Sequence, residues 1–110
     1  EELAAFWCRL LDWHERRRDG ADWISIGGGD PTVWINVQAE AGYVPPVWPE
    51  RPGDQQKQVH FELGVDDVPA AVRFAIECGA TEAPHQPPDR DPATLRVMLD
   101  PAGHPFCLGV

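Results

Sequence analysis

The stretch Gln58-Val59-His60-Phe61-Glu62-Leu63-Gly64-Val65-Asp66-Asp67-Val68-Pro69-Ala70-Ala71-Val72 carries the pattern that decides the fold. Its first half alternates. Val59, Phe61, Leu63 and Val65 fall on one face of an extended chain, and His60, Glu62 and Gly64 fall on the other. Its second half changes period. Asp66 or Asp67 is placed to cap a helix, and Pro69 sits in the first turn, where a missing N–H costs nothing. Val68, Ala71, Val72, Ala75 and Ile76 then line one helical face, and Gly79, following Cys78, stands where a glycine ends a helix. A strand followed directly by an amphipathic helix predicts that the helix packs on the strand's apolar face.

Downstream, the pattern predicts a short strand over 81–83, a proline-rich loop, a strand over 94–100, a turn at Pro101-Ala102-Gly103 and a last strand over 105–110. Upstream, Leu3, Phe6, Trp7, Leu10 and Leu11 have the spacing of an amphipathic helix over 3–11, with Glu1 and Glu2 in its first turn. Three strands follow, over 13–18, 23–26 and 32–38. They are punctuated by Arg18-Asp19-Gly20 and by Gly27-Gly28-Gly29-Asp30-Pro31, which reads as a hairpin turn and lacks the lysine of a phosphate loop. The two helices even look alike, Leu3-Ala4-Ala5-Phe6 beside Pro69-Ala70-Ala71-Val72. The expectation is an α+β fold of two βαβββ modules, the first lacking its opening strand, which would lie upstream of Glu1. Pro45, Pro46, Pro49 and Pro52 exclude a central strand or a helix between Tyr43 and Gly53, so that stretch reads as a surface connector. The expected organisation is one domain over 1–110, with modules at about 1–42 and 58–110 joined through about 43–57.

Composition removes several function classes. The 110 residues hold 9 Lys and Arg against 18 Asp and Glu, a formal charge of −9. Nucleic acid and anionic membrane both require clustered positive charge, so neither is expected as a partner. Arg16-Arg17-Arg18 reads as a solvated strand edge. No apolar run approaches the roughly 18–20 residues of a membrane span. Cys8, Cys78 and Cys107 are odd in number, lack a CxxC and sit in apolar stretches, which predicts buried thiols in a reducing cytoplasm.

Alternation divides each strand into two faces. Val33, Ile35 and Val37 oppose Trp34, Asn36 and Gln38. Leu95, Val97 and Leu99 oppose Arg96 and Met98. Phe106, Leu108 and Val110 oppose Cys107 and Gly109. The aliphatic faces suit the helices. The other faces mix aromatic, amide, imidazole, carboxylate, guanidinium and thiol groups, which suits a concave ligand surface with a few convergent polar groups. The competing reading is a face covered by the connector or by a partner subunit.

Four stretches resemble one family. Glu2-Leu3-Ala4-Ala5-Phe6-Trp7-Cys8-Arg9-Leu10-Leu11-Asp12-Trp13 is similar to the first helix of glyoxalase-like domains, and Tyr43-Val44-Pro45-Pro46-Val47-Trp48-Pro49 to their connector. Gln58 to Asp67 resembles the opening of their second module, and Leu99 to Leu108 their closing hairpin. The chain is thereby identified as a member of the glyoxalase/bleomycin-resistance/dioxygenase group, the vicinal oxygen chelate superfamily. The resemblance implies paired modules whose strands form a curved mixed sheet around a cavity, with helices outside, and a homodimer with the cavity at or near its interface.

Metal-dependent relatives hold one divalent ion through His and Glu ligands on opening and closing strands. By resemblance those positions are His60, Gln38 and Cys107, the fourth lying outside this sequence. Only His60 keeps a good ligand type, Gln38 is a weak neutral donor, and Cys107 stands where a carboxylate is expected. Glu62, two residues from His60 on the same face, is a candidate substitute ligand or base. The expectation is a small-molecule binding protein or enzyme with a degenerate metal site. His60 and Glu62 are its candidate catalytic pair, and Trp34, Asn36, Gln38, Arg96, Met98, Cys107, Tyr43 and Trp48 its candidate ligand contacts. The alternatives are a metal-dependent lyase, isomerase or dioxygenase, with His60 the best ligand, and a non-catalytic dimerisation module. His85 and His104 read as loop and turn residues.

Overall fold

A computed structural model describes residues 1–110. The order is α1 (Glu2–Leu11), β1 (His14–Asp19), β2 (Trp23–Gly27), β3 (Trp34–Gln38), β4 (Phe61–Gly64), α2 (Val68–Cys78), β5 (Thr81–Glu82), β6 (Leu95–Leu99) and β7 (Pro105–Gly109). The chain divides into two compact units, Glu1–Tyr43 and Val44–Val110. No helix is long and apolar enough to cross a membrane.

In the first unit, β1, β2 and β3 form an antiparallel sheet in that order. Ile24 pairs with Val37 and Ile26 with Ile35, so these four side chains share the face on which α1 packs. Ile24 and Ile26 are fully buried there, together with Ala4, Phe6 and Trp7 of α1. Phe6 and Trp7 meet edge to face, centroids 5.1 Å apart. The three-glycine run has a specific job. The Arg16 guanidinium lies over it and donates from Nη2 to the carbonyls of Gly28 (2.7 Å) and Asp30 (2.8 Å). A Cβ at Gly27 would overlap that guanidinium, and one at Gly28 would overlap the Trp13 indole. Of the expected solvated arginines, Arg16 is therefore tied to the turn, and Arg18 pairs with Glu15 and Glu1.

In the second unit the sheet order is β4-β7-β6-β5, with β4 and β7 parallel and the other pairs antiparallel. The helix begins as its residues dictate. Asp67 is the N-cap, its carboxylate accepting from the Ala70 N–H at 3.0 Å, and Gly79 closes the end at φ 122°. Helix α2 packs on β5, β6 and β7. Beyond the short β5, the side chain of Gln86 continues the pairing. It donates to the carbonyls of Ala83 and Val97 and accepts from the Val97 N–H at 2.9 Å. The β6–β7 turn is built on Asp100, whose buried carboxylate accepts from the N–H groups of Ala102 and His104 and from the His104 ring.

The α+β architecture with two helices stands as expected, but the strands make two sheets rather than one, and neither closes into a barrel. The register also corrects the reading of β6. Val97 lies opposite Cys107, and Met98 opposite Phe106. Leu95, Val97 and Leu99 therefore share the Cys107 face. Met98, wholly buried, belongs with Phe106 and Leu108 in the core. Alternation alone divides a strand into two faces without saying which is which. Strand β4 shows a second departure. Phe61 does lie on the Phe106 side, yet it is 44% exposed and Val59 82%, because β4 is the edge of its sheet.

Candidate functional site

Each sheet has one face turned away from its helix, and the two faces differ in chemistry. In the first unit, Asp19 pairs with Trp23 and Trp23 with Gln38, while Arg17 pairs with Ser25 and Ser25 with Asn36. These six side chains and Trp34, opposite Gly27, stand on one face. Arg17, Asp19, Trp23, Ser25, Trp34 and Asn36 line an open hollow of about 420 Å³. Both indoles are open to solvent, Trp23 40% and Trp34 54% exposed. The Ser25 hydroxyl donates to Asn36 Oδ1 at 2.6 Å, which fixes that amide between them.

The second unit's face is narrower and holds donors. His60 precedes β4, Glu62 lies within it, and Glu62 is in register with Cys107 of the parallel neighbour β7. The strand period and this register place all three on one face. A His60 nitrogen, a Glu62 carboxylate oxygen and Cys107 Sγ lie within 4.8 Å of one another, with His60 Nε2 3.4 Å from Glu62 Oε1. Cys107 is buried, while His60 and Glu62 are exposed. Burial pushes the Cys107 thiol up from its ordinary value and the Glu62 charge adds to this, against a smaller opposing effect of Lys57. The free thiol is accordingly a weak nucleophile. Beside the cluster lies a hollow of about 450 Å³ whose lining includes Glu62, Cys107, Arg90, Thr94 and Leu95.

Trp48 packs against the cluster of Ala83, Val97 and Cys107. Its indole Nε1 is buried without a hydrogen-bond partner, and Lys57 Nζ sits 3.9 Å from the ring centroid. Lys57 also approaches Glu50 at 3.5 Å.

Against the expected site, Trp34, Asn36 and Gln38 share one face and His60, Glu62 and Cys107 another, with Trp48 packed beside Cys107. Tyr43 is exposed at the end of the first unit. Met98 and Arg96 are corrections. Met98 is core, and Arg96 lies on the core side of β6, opposite Leu108, where it pairs with Glu82. The cation whose charge reaches Cys107 is Lys57. Four residues of the first hollow were missed: Arg17, Asp19, Trp23 and Ser25. The alternation Trp23-Ile24-Ser25-Ile26 was the available signal, since its Ile pair marks the helix face and leaves Trp23 and Ser25 on the other. His85 is an exposed loop residue, and His104 serves the Asp100 turn.

Comparison with known proteins gives a consistent answer for the fold. The family model described as a glyoxalase-like domain matches residues 1–109. The chain belongs to the glyoxalase-like domain family. Solved structures with the glyoxalase-like fold include a bleomycin-binding protein complexed with bleomycin, 23% identical, TM-score 0.57, covering 98% of this chain and 86% of that one. Glyoxalase I of Leishmania major is 13% identical with a TM-score of 0.61 over 98% of this chain and 76% of its own. A hypothetical protein from S. aureus is 18% identical, TM-score 0.62, covering 99% and 85% respectively. No curated protein sequence matches the chain significantly.

The metal of metal-dependent glyoxalase-like proteins can be tested against the residues. Of the ligand positions expected by resemblance, His60 and Cys107 come together, Gln38 stands in the first unit, and Glu62 joins the pair from β4. One thiolate, one imidazole and one carboxylate make a donor set suited to zinc-like ions rather than to magnesium or calcium, which prefer oxygen alone.

Proposed function

We propose that this glyoxalase-like protein binds a planar, partly aromatic small molecule on the strand face of its first unit. The supporting observation is the hollow between Trp23 and Trp34. Two solvent-open indoles on adjacent strands offer stacking surface at little ordering cost, and buried solvent-free packing does not explain their exposure. Arg17 offers a cationic donor, Asp19 an anionic acceptor and Asn36 an amide, so a ring carrying both donor and acceptor groups is the best fit. A volume of about 420 Å³ lies within the ordinary range of small-ligand sites. A similar fold binding bleomycin makes that drug a sensible probe. The test is quenching of intrinsic tryptophan emission by catechol and by bleomycin. Saturable quenching, lost in Trp34→Ala, is the expected result. Quenching unchanged in Trp34→Ala and in Trp23→Ala would sink the reading.

The second reading is a metal-dependent lyase, isomerase or dioxygenase, favoured by the grouping of His60, Glu62 and Cys107. A bound divalent ion would supply Lewis-acid polarisation of a substrate oxygen. His60, Glu62 and Cys107 would be the residues that hold it. Loss of turnover in both His60→Ala and Glu62→Gln is the expected result under this reading.

The chain is read as one domain of two modules, in the cytoplasm, where three free thiols persist. A homodimer is the proposed assembly. Its support is the open edge of β4, with Val59 and Phe61 exposed. Sedimentation at twice the mass of one chain is expected.

A further inference from the structure

We infer that the ligand of the first unit's strand face is a planar aromatic acid, its anionic group held by Arg16 and Arg17 at the Trp34 end of the hollow. This deepens the proposed function and rests on it.

The two arginines are neighbours in β1, and in a regular strand neighbours point to opposite faces. Here the register breaks. Glu15 pairs with Ile26 and Arg17 with Ser25, which leaves Arg16 as the extra residue of a bulge. A bulge sets two residues against one and re-aims a side chain. Both guanidinium groups thereby reach the tryptophan face. Arg17 lines the hollow itself. The Arg16 guanidinium lies where a Cβ of Gly27 would stand, and Gly27 is opposite Trp34.

Arg16 is held in place, yet its charge is uncompensated. Its Nη2 donates to the carbonyls of Gly28 and Asp30, and its Nη1 to that of Pro31 at 3.3 Å. These backbone acceptors are neutral, so the cation loses mobility and keeps its charge. The Nε–H and the second Nη1–H remain for a ligand.

The nearby carboxylates are engaged or distant. Asp30 accepts from the Thr32 N–H at 2.8 Å and from its hydroxyl at 2.7 Å. Those bonds are the main reason its carboxyl sits below the ordinary value, and the Arg16 charge adds least. Asp19 stands two residues beyond Arg17, about 6.7 Å along the strand, beside Trp23. Arg18, Arg51, Lys57 and Arg96 each pair with a carboxylate, and Arg16 and Arg17 do not. An anionic ligand group supplies the partner they lack. Repulsion from Asp19 orients that group toward Trp34.

The test is calorimetric titration with protocatechuate and with its uncharged primary amide, which share the catechol ring. The acid should bind at least about tenfold tighter than the amide, the worth of one hydrogen bond to a charged group. Added sodium chloride should erode that preference. Arg17→Gln and Arg16→Gln should each weaken the acid about tenfold and the amide much less. Circular dichroism checks folding. Because Arg16 holds the β2–β3 turn, the exposed Arg17→Gln keeps the test open if Arg16→Gln unfolds. Equal affinity for acid and amide would overturn the inference and leave the aromatic reading standing, as would a preference unchanged in both variants. Acid binding lost in Arg17→Gln yet unchanged in Trp23→Ala and Trp34→Ala would uphold the anion subsite and defeat the stacking reading. Binding of neither compound would defeat both.

Discussion

Each unit is a helix-backed sheet of its own, and the two use the uncovered face in opposite ways. In the first unit that face is open and aromatic, with Trp23 and Trp34 around Ser25, Asn36, Arg17 and Asp19. In the second, Trp48 and Val97 fill much of it, and the groups left are a histidine, a carboxylate and a thiol. The difference shows that a strand's non-core face is chemically unconstrained by the fold. The backbone demands Ile24, Ile26, Met98, Phe106 and Leu108 on the other side and nothing in particular here. One face carries two open indoles and the other a group of three potential donors.

The hardest break in this comparison is Met98→Ala. A wholly buried side chain in register with Phe106 should cost about 2–5 kcal/mol on truncation. Urea unfolding measures it, and catechol or bleomycin binding at the first unit should not change. A loss of binding with unaltered stability would return Met98 to the ligand surface.

Gly27→Ala comes next. The added methyl would overlap the Arg16 guanidinium that holds the β2–β3 turn, at a cost of about 1–3 kcal/mol. Full stability in that variant would mean that Arg16 moves aside freely and that the glycine run is not a cradle.

Trp34→Ala sharpens the contrast from the other side. More than half exposed, it should change stability by less than about 0.5 kcal/mol. It should weaken binding of an aromatic probe about tenfold, the upper end of an aromatic pair's worth. Calorimetric titration with bleomycin would check it.

The smallest effect is a pH dependence confined to the second unit. The hydrogen bond from His104 to the buried Asp100 carboxylate raises the imidazole's pKa above its ordinary value, burial opposing and the charge of Asp100 assisting. A raised folded-state pKa means that the stabilisation is complete below the unfolded value, about 6.5, and disappears as pH climbs through the folded one. Stability should therefore fall as pH rises above about 6.5. The loss should stay below about 1 kcal/mol, because solvent screens a half-exposed imidazole. Thermal unfolding of His104→Gln across that range should lose the slope.

Much of this was legible before any coordinates. The Asp67 cap, Pro69 and Gly79 bracket α2 by local chemistry, and they appear where the residues put them. The split of β3 and β7 into two faces likewise follows from period two. What failed was orientation on β6, where Leu95, Val97 and Leu99 are as apolar as Met98, so composition could not say which side met the helix. Register with Phe106 and Cys107 decides it, and register is a non-local property. The exposure of Phe61 was hidden for the same reason, because an edge strand is defined by a neighbour it lacks. His60, Glu62 and Gln38 were legible as face positions. The proximity of Cys107 to Glu62 required the parallel pairing of β4 with β7.

The central claim is that the first unit's strand face is where a ligand sits. The chain has five tryptophans, Trp7, Trp13, Trp23, Trp34 and Trp48, each with one indole N–H resonance. Titrating bleomycin into nitrogen-15-labelled protein, with the resonances assigned by single Trp→Phe variants, reads all five at once. The account predicts saturable shifts at Trp23 and Trp34 and a silent Trp7, which is buried beneath the sheet's other face. Saturable shifts confined to Trp48, with Trp23 and Trp34 unmoved, would contradict it and transfer the ligand site to the second unit.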